Sequence, residues 1–242
     1  MLGMGTTPAG HAELFHQAFA SAPARARVLI AGAADYGMLA HASAACRAAG
    51  VQAEFAMVDW CETPLWLARW YAERESLALS TRRGNLLDAG EETSFDVACT
   101  QALLGHFPPG QRPQLLANLH RALRPGGLLV MAQRLRPGSG DAPASFSGRQ
   151  VDDFVGAVLA RARTLPGAGN AGLADAARAY ASRQVSWPVR SAEELQALFE
   201  SAGFRIRHLS CAPMAAEPGA PSLNVPTVAG SSNYARVVAV RE

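Results

Sequence analysis

Apolar and polar positions along this chain alternate between two rhythms, one suited to buried strands and one to helices with a single apolar face. The run Arg27-Val28-Leu29-Ile30-Ala31 predicts a first strand over 27–31, and the pattern after it predicts a helix over 36–49. Gly50 stands where a helix commonly ends on a left-handed residue. A second strand is expected over 53–58, ending in Asp59. Thr63-Pro64 with Leu65, Trp66, Leu67, Trp70 and Tyr71 reads as a helix with proline in its first turn, its aromatic residues expected in the core. A third strand falls somewhere in 77–84, and Phe95 to Thr100 is a buried strand. Pro113 to Leu123 is the next helix, stopped by Arg124-Pro125-Gly126-Gly127 before a fifth strand over 128–132. Strands and helices that alternate at this pace call for an α/β fold with a mostly parallel sheet.

The two ends are less regular. Residues 1–10 carry no pattern, whereas 11–22 place Leu14, Phe15, Ala18 and Phe19 at helical spacing. The alternation breaks over 136–190, where Pro137-Gly138-Ser139-Gly140 opens a loop, and helices are expected over 151–163 and 173–182 around a loop at 167–172. Ser191 and Glu194 have the spacing of a reciprocal cap, in which the hydroxyl takes a helical N–H and the glutamate reaches back. That helix runs to Ser201 and stops at Gly203, before strands over 204–209 and 234–240. Between these strands lies a Pro/Gly-rich stretch over 212–232, long enough to form a loop over a site. The organisation is an N-terminal helical segment, 1–24, and one α/β domain, 25–242, with a helical insertion over 136–190.

Composition narrows the classes of function. The chain has 242 residues, 49% hydrophobic and 17% charged, which suits one globular domain with an insertion. A net charge of +2 argues against nucleic acid or an anionic membrane surface as partner. All 22 basic residues are arginine. Cys46, Cys61, Cys99 and Cys211 lack the paired spacing of a zinc site, no metal is expected, and Cys46 and Cys99 read as buried thiols. No stretch is long and apolar enough to span a membrane, and no secretory leader is apparent, so the expectation is a reduced, cytoplasmic enzyme.

The chemistry centres on Ile30-Ala31-Gly32-Ala33-Ala34-Asp35-Tyr36-Gly37, a turn from strand to helix. Backbone N–H groups at such a helix start face a ligand, and small residues let it approach. Asp59, at the end of the next strand, is placed to accept hydrogen bonds from ribose hydroxyls.

Three sets of residues together resemble a class I S-adenosylmethionine-dependent methyltransferase. They are Phe95-Asp96-Val97 leading to His106-Phe107 and Leu123-Arg124-Pro125-Gly126-Gly127-Leu128; Ser191-Ala192-Glu193-Glu194-Leu195 leading to Ala202-Gly203-Phe204; and the glycine loop with Asp59. The resemblance implies a Rossmann-like seven-stranded sheet with helices on both faces and an antiparallel last strand beside strand five. It implies S-adenosylmethionine as cofactor and a small organic molecule as acceptor, a secondary metabolite being one class, methylated at oxygen or nitrogen. It places Gly32 and Ala33 under the methionine portion, with Asp35 near its ammonium and Tyr36 beside it. Asp59 would hold the ribose, Trp60 flank the adenine, and Asn85 and Leu86 read the adenine edge. Thr100 and Gln101 would lie near the sulfonium.

By the same resemblance, His106 is the candidate base, 1–24 is a lid, and the insertion with 212–232 builds the acceptor pocket. His11 and His16 are expected to be solvated or capping, and Tyr180, Trp187 and Tyr234 to stand near the pocket. The loop departs from the family at Ile30, where an acid is usual, and at Ala34 and Tyr36, where glycine is frequent. Two other readings stay open: a non-catalytic protein of the same fold, and a nicotinamide-dependent oxidoreductase, which shares the loop and the acid. Oligomeric state is not read from the sequence, a homodimer being one arrangement.

Overall fold

The computed structural model describes residues 11–88, 94–138, 140, 142–164, 172–213 and 233–242. The expected loop over 212–232 lies almost wholly outside these residues, as do most of the loop at 167–172 and the stretch 1–10.

Helix α1 (Ala12–Phe19) leads into β1 (Arg25–Ala31), α2 (Gly37–Ala48), β2 (Gln52–Asp59), α3 (Glu62–Glu75) and β3 (Leu79–Arg83). Then come β4 (Phe95–Gln101), α4 (Arg112–Ala122) and β5 (Leu123–Leu135). The insertion holds β6 (Ala144–Ser145), α5 (Gly148–Ala162), α6 (Leu173–Arg183) and β7 (Val185–Ser186), and α7 (Ala192–Ser201), β8 (Phe204–Pro213) and β9 (Asn233–Arg241) close the chain. Seven strands form one sheet in the order β3-β2-β1-β4-β5-β9-β8. β9 runs antiparallel to β5 and β8, while the pairs from β3 to β5 are parallel. This is the sheet that the resemblance implies.

Helices cover both faces, which is why β4 is buried at six successive residues rather than at alternate ones. Leu14, Phe15, Ala18 and Phe19 of α1 are buried with Met38, Leu39 and Ala42 of α2 on one face. Leu115, Leu116 and Leu119 of α4 and Leu195 and Phe199 of α7 fill the other. The insertion has a small core of its own, from Val151, Phe154, Val155 and Val158 of α5 and Ala177 and Ala181 of α6. The two-stranded β6–β7 sheet at its base was not anticipated; strands of two residues carry no periodicity.

The Pro-Gly-Gly turn is not a break before β5 but a bulge within it, where the pairing with β4 jumps from Phe95↔Leu123 to Val97↔Leu128. Gly126 has φ +79°, and a Cβ on Gly127 would lie 2.9 Å from the Arg124 carbonyl oxygen and 3.1 Å from that of Phe95. Asp96, buried, accepts the Arg27 N–H at 2.6 Å and pairs with Arg124 Nε at 2.6 Å. The Phe-Asp and Arg-Pro-Gly-Gly pieces thus fasten one another at the end of the sheet where β4 begins.

Helix ends follow the chemistry of their caps. Gly50 is left-handed, as expected, and so is Gly203. Ser191 accepts the Glu194 N–H at 3.2 Å, but Glu194 does not reach back to it, its carboxylate taking Arg190 and Arg112 instead. A complete reciprocal cap forms elsewhere, between Ser147 and Gln150 at the start of α5. Ser76 ends α3 in a left-handed conformation, φ 53°, which glycine adopts without the Cβ clash. Ser76→Gly is expected to stabilise the protein by about 0.5–1 kcal/mol, read as a higher denaturation midpoint at unchanged slope.

Candidate functional site

The carboxyl ends of β1, β2, β3 and β4 converge on one place, and Asp59 is its centre. One carboxylate oxygen accepts the Ala33 N–H at 2.9 Å and the other the Cys61 N–H at 2.7 Å. The Gly32 N–H adds a bond to the Val58 carbonyl at 2.9 Å, so the glycine loop is tied to the end of β2 at two successive residues. Gly32 has φ +67°, and a Cβ there would fall 2.7 Å from the Leu103 side chain and 3.8 Å from that of Leu86. Three loops meet at this glycine because it has no side chain. Each Asp59 oxygen retains a lone pair for a further donor.

Around this centre the other expected residues take varied positions. Trp60, beside Asp59, is 66% exposed, a large apolar surface left open next to a carboxylate. Asn85 Oδ1 accepts the Leu87 N–H at 3.0 Å, shaping the turn after β3. The Leu86 carbonyl accepts from Asn118 Nδ2 at 2.9 Å, and Gln114 Nε2 donates to the Leu87 carbonyl at 2.7 Å, which fastens that turn to α4. No sequence signal marked Asn118 or Gln114, since their bonds are to backbone brought close only by folding. Thr100 is fully buried, and its hydroxyl has no hydrogen-bond partner among the described residues. Gln101 ends β4 half-buried. Ala102 follows with φ 51°, strain that a non-glycine residue keeps only when its surroundings hold it; its N–H donates to the Ala132 carbonyl at 2.8 Å.

Two further loop residues have partners of their own. Asp35 Oδ1 accepts the Gly37 N–H at 2.6 Å, so the carboxylate serves the start of α2. Tyr36 turns its ring onto α3, face to face with Tyr71 at 4.9 Å and tilted against Trp70 at 5.7 Å. Stacking on Tyr71 and packing against Trp70 fix the Tyr36 ring against α3. The expectation of a core position fails for Trp66 and Trp70, which are 58% and 45% exposed, because α3 buries Leu65, Ala68 and Ala72 instead.

His106 ends a short 3-10 turn, Leu104–His106, held from several sides. The Leu104 N–H donates to Gln133 Oε1 at 3.1 Å, its carbonyl accepts Arg112 Nε at 3.3 Å, and the Gly105 carbonyl accepts the Trp187 N–H at 2.9 Å. The insertion is thereby joined to the turn that carries the histidine. His106 is exposed, yet neighbouring protein atoms lower its pKa from 6.5, while the Asp59 carboxylate pulls it the other way.

Tyr180 of α6 stacks on Phe154 at 5.7 Å, and burial, with Cys61 beside it, raises its pKa. His16 is solvated as expected, but His11 is not: it is buried and accepts from Arg236 Nε at 3.3 Å. Tyr234 is buried beside it. Cys46 and Cys99 are buried and reduced, and burial pushes the Cys46 thiol up to about 12. Among the described residues no group of three or more His, Cys, Asp or Glu could hold a metal ion, and no helix is long and apolar enough to cross a membrane.

Comparison with known proteins bears on the fold. Residues 28–127, from β1 through the bulge in β5, match the model of a methyltransferase domain. By structure the chain is similar to the (4+2)-cyclase SpnF, 13% identical with a TM-score of 0.61 over 96% of this chain and 79% of that one. It is similar to the 1,6-didemethyltoxoflavin-N1-methyltransferase of Burkholderia thailandensis, solved with 1,6-didemethyltoxoflavin and S-adenosylhomocysteine, at 19% identity and a TM-score of 0.56 over 94% and 78% of the two chains. It also resembles a geranyl diphosphate methyltransferase solved with S-adenosylmethionine, 12% identical with a TM-score of 0.59 over 96% and 84%. No curated protein matches by sequence.

Proposed function

We propose that this chain, an enzyme of class I methyltransferase fold whose residues 28–127 form a methyltransferase domain, transfers a methyl group from S-adenosylmethionine to an oxygen or nitrogen of a small organic molecule. The observation that carries this reading is the Asp59 carboxylate, which organises the glycine loop at 2.9 Å while keeping lone pairs and an exposed Trp60 beside it. That donor and surface set fits a nucleoside: hydroxyls for the carboxylate, a flat ring for the indole. Asn85 and Leu86 stand one strand further on, where the edge of such a ring would fall, and Gly32 and Ala33 give the small surface for the methionine portion. The unpartnered Thr100 hydroxyl, and Gln101, lie at the end of β4 between this half and the acceptor side. Asp35, at the start of α2, and Tyr36, stacked on α3, border the methionine portion in this assignment.

When bound, S-adenosylmethionine supplies a methyl carbon made electrophilic by positively charged sulfur. What the chain must add is alignment and the exclusion of water. The insertion, joined to the His106 turn through Trp187, supplies the cover. A ring nitrogen of His106 takes the proton that a hydroxyl or ammonium acceptor must lose. Calorimetry with S-adenosylmethionine and S-adenosylhomocysteine tests the reading, and an absence of binding at millimolar concentration overturns it.

His106 makes a separate prediction. Its pKa lies below 6.5, so the ring is neutral and able to take a proton above that value, and kcat/KM falls as pH drops below it. His106→Asn is expected to lower kcat/KM by about 100-fold or more at pH near 7.5 and to remove this acid limb, with little change in S-adenosylhomocysteine affinity. An unchanged pH profile would assign the histidine to packing. The SpnF likeness favours one further outcome worth scoring in the same assays, a ring-forming reaction on the same fold.

A further inference from the structure

The peptide that joins Trp60 to Cys61 is held at both of its polar ends. Its carbonyl oxygen accepts Arg83 Nε at 3.1 Å, and its N–H donates to the Asp59 carboxylate at 2.7 Å. Asp59 and Arg83 are register partners across the β2–β3 pair, so two side chains from adjacent strand ends close on one peptide. A third side chain, Arg69 of α3, donates to Thr81 Oγ1 at 2.9 Å and pairs with Glu62 at 2.6 Å. Thr81 lies two residues before Arg83 and so shares its face of β3. The start of α3 is thereby tied to β3 through two arginines, while the Trp60 indole stays 66% exposed.

Stability does not call for this arrangement. Trp60, Cys61 and Arg83 are exposed, so water would satisfy the carbonyl if Arg83 turned away. Holding an arginine in one rotamer costs conformational freedom, and the net gain from such a bond in water is modest. What the bond does is fix a direction. With both ends of the peptide held, the backbone from which the indole projects cannot rotate. A ring already oriented loses less freedom when a ligand meets it. A base stacks on an aromatic side chain through its flat face, so the angle of the ring decides the contact.

We propose that Arg83 is a positioning residue for the base of the cofactor: by holding the Trp60 carbonyl, it sets the indole as a fixed platform on which the purine stacks. The purine rests on the methyltransferase reading; the hold of Arg83 on Trp60 does not.

The test is a double-mutant cycle on the full chain, read by calorimetry with S-adenosylhomocysteine. Trp60→Ala is expected to raise the dissociation constant about tenfold or more, and Arg83→Gln about fivefold or more. In the Trp60→Ala background, Arg83→Gln is expected to change it less than about twofold, because no indole is left to position. Arg82 is the control for charge, since its guanidinium turns to Gly84 instead, where a Cβ would lie 2.6 Å from Arg82 Nη1. Arg82→Gln is expected to change the affinity less than about twofold. Additive losses, an unchanged affinity in either single variant, or an equal loss in Arg82→Gln overturns the proposal. A second measurement needs no ligand. In protein labelled with 5-fluorotryptophan, Trp60→Phe assigns one of the four fluorine NMR resonances to Trp60. Arg83→Gln is expected to shift or broaden that resonance and to leave the others in place; an unmoved Trp60 resonance overturns the proposal. If wild type binds no S-adenosylhomocysteine while the Trp60 resonance still moves in Arg83→Gln, the methyltransferase reading fails and the hold on Trp60 stands.

Discussion

Asp59→Ala is expected to raise the dissociation constant for S-adenosylhomocysteine by about 100-fold or more in calorimetry, with a lower melting temperature as well. Two effects add. The carboxylate is the acceptor assigned to the ribose hydroxyls, and charge-assisted hydrogen bonds are worth about 1.5–3 kcal/mol each. It also takes the Ala33 and Cys61 N–H groups, so its removal frees the glycine loop from the end of β2 and leaves both donors unmet. Asp59→Asn separates the two. Its amide oxygen can accept one of those N–H groups, but its NH2 meets the other donor-to-donor, so the loop loosens on one side only. An Asn variant that binds S-adenosylhomocysteine as tightly as wild type would remove Asp59 from ligand contact. The same result with Ala would overturn the site.

Arg112 carries the second large expectation. Its guanidinium is 1% exposed, paired with Glu194 at 2.9 Å, and its remaining donors meet the carbonyls of Leu104, Trp187 and Pro188 at 2.9–3.3 Å. It joins α4, the His106 turn, the end of the insertion and α7. Arg112→Met removes the cation and leaves Glu194 and three carbonyls short of donors, a loss of about 3–5 kcal/mol. For a chain of this size the melting temperature should fall by roughly 10 °C. Transfer activity should fall more than S-adenosylhomocysteine affinity, because the bonds lost hold the His106 turn and not Asp59. Arg205→Ala, which breaks an exposed pair with Glu242, is the control and should change the melting temperature little. Equal stability of Arg112→Met and that control would show the buried network to be dispensable.

These two residues mark the boundary of what the sequence displays. Asp59 was legible because its position at the end of an apolar run, one crossover after a glycine turn, is a local fact. Arg112 was not. It stands beside Pro113 at the start of an ordinary amphipathic helix, and its partners are 8 to 82 residues away. The Phe-Asp and Arg-Pro-Gly-Gly pieces were legible for a different reason than their prominence suggests. They are a fastening of β4 to β5, strict because a Cβ on Gly127 would fall within 3.2 Å of three carbonyl oxygens, and they sit at the end of the sheet away from the chemistry. The packing of Tyr36, by contrast, was not legible: its neighbours Trp70 and Tyr71 are on another helix, and only the fold brings their rings to it.

The sequence by itself determined the order of strands and helices, the glycine turn, the acid at the end of β2 and the family resemblance, because each rests on short-range periodicity or on a fixed spacing along the chain. Tertiary structure alone decided how the side chains are spent: Asp35 on a helix start, Tyr36 on a ring stack, Glu194 on two arginines rather than its own cap, and His11 on Arg236 beside Tyr234. Hydrogen bonds and ring contacts go to whichever partner packing brings within reach. For residues far apart in the chain, that partner is a property of the folded sheet and its helices.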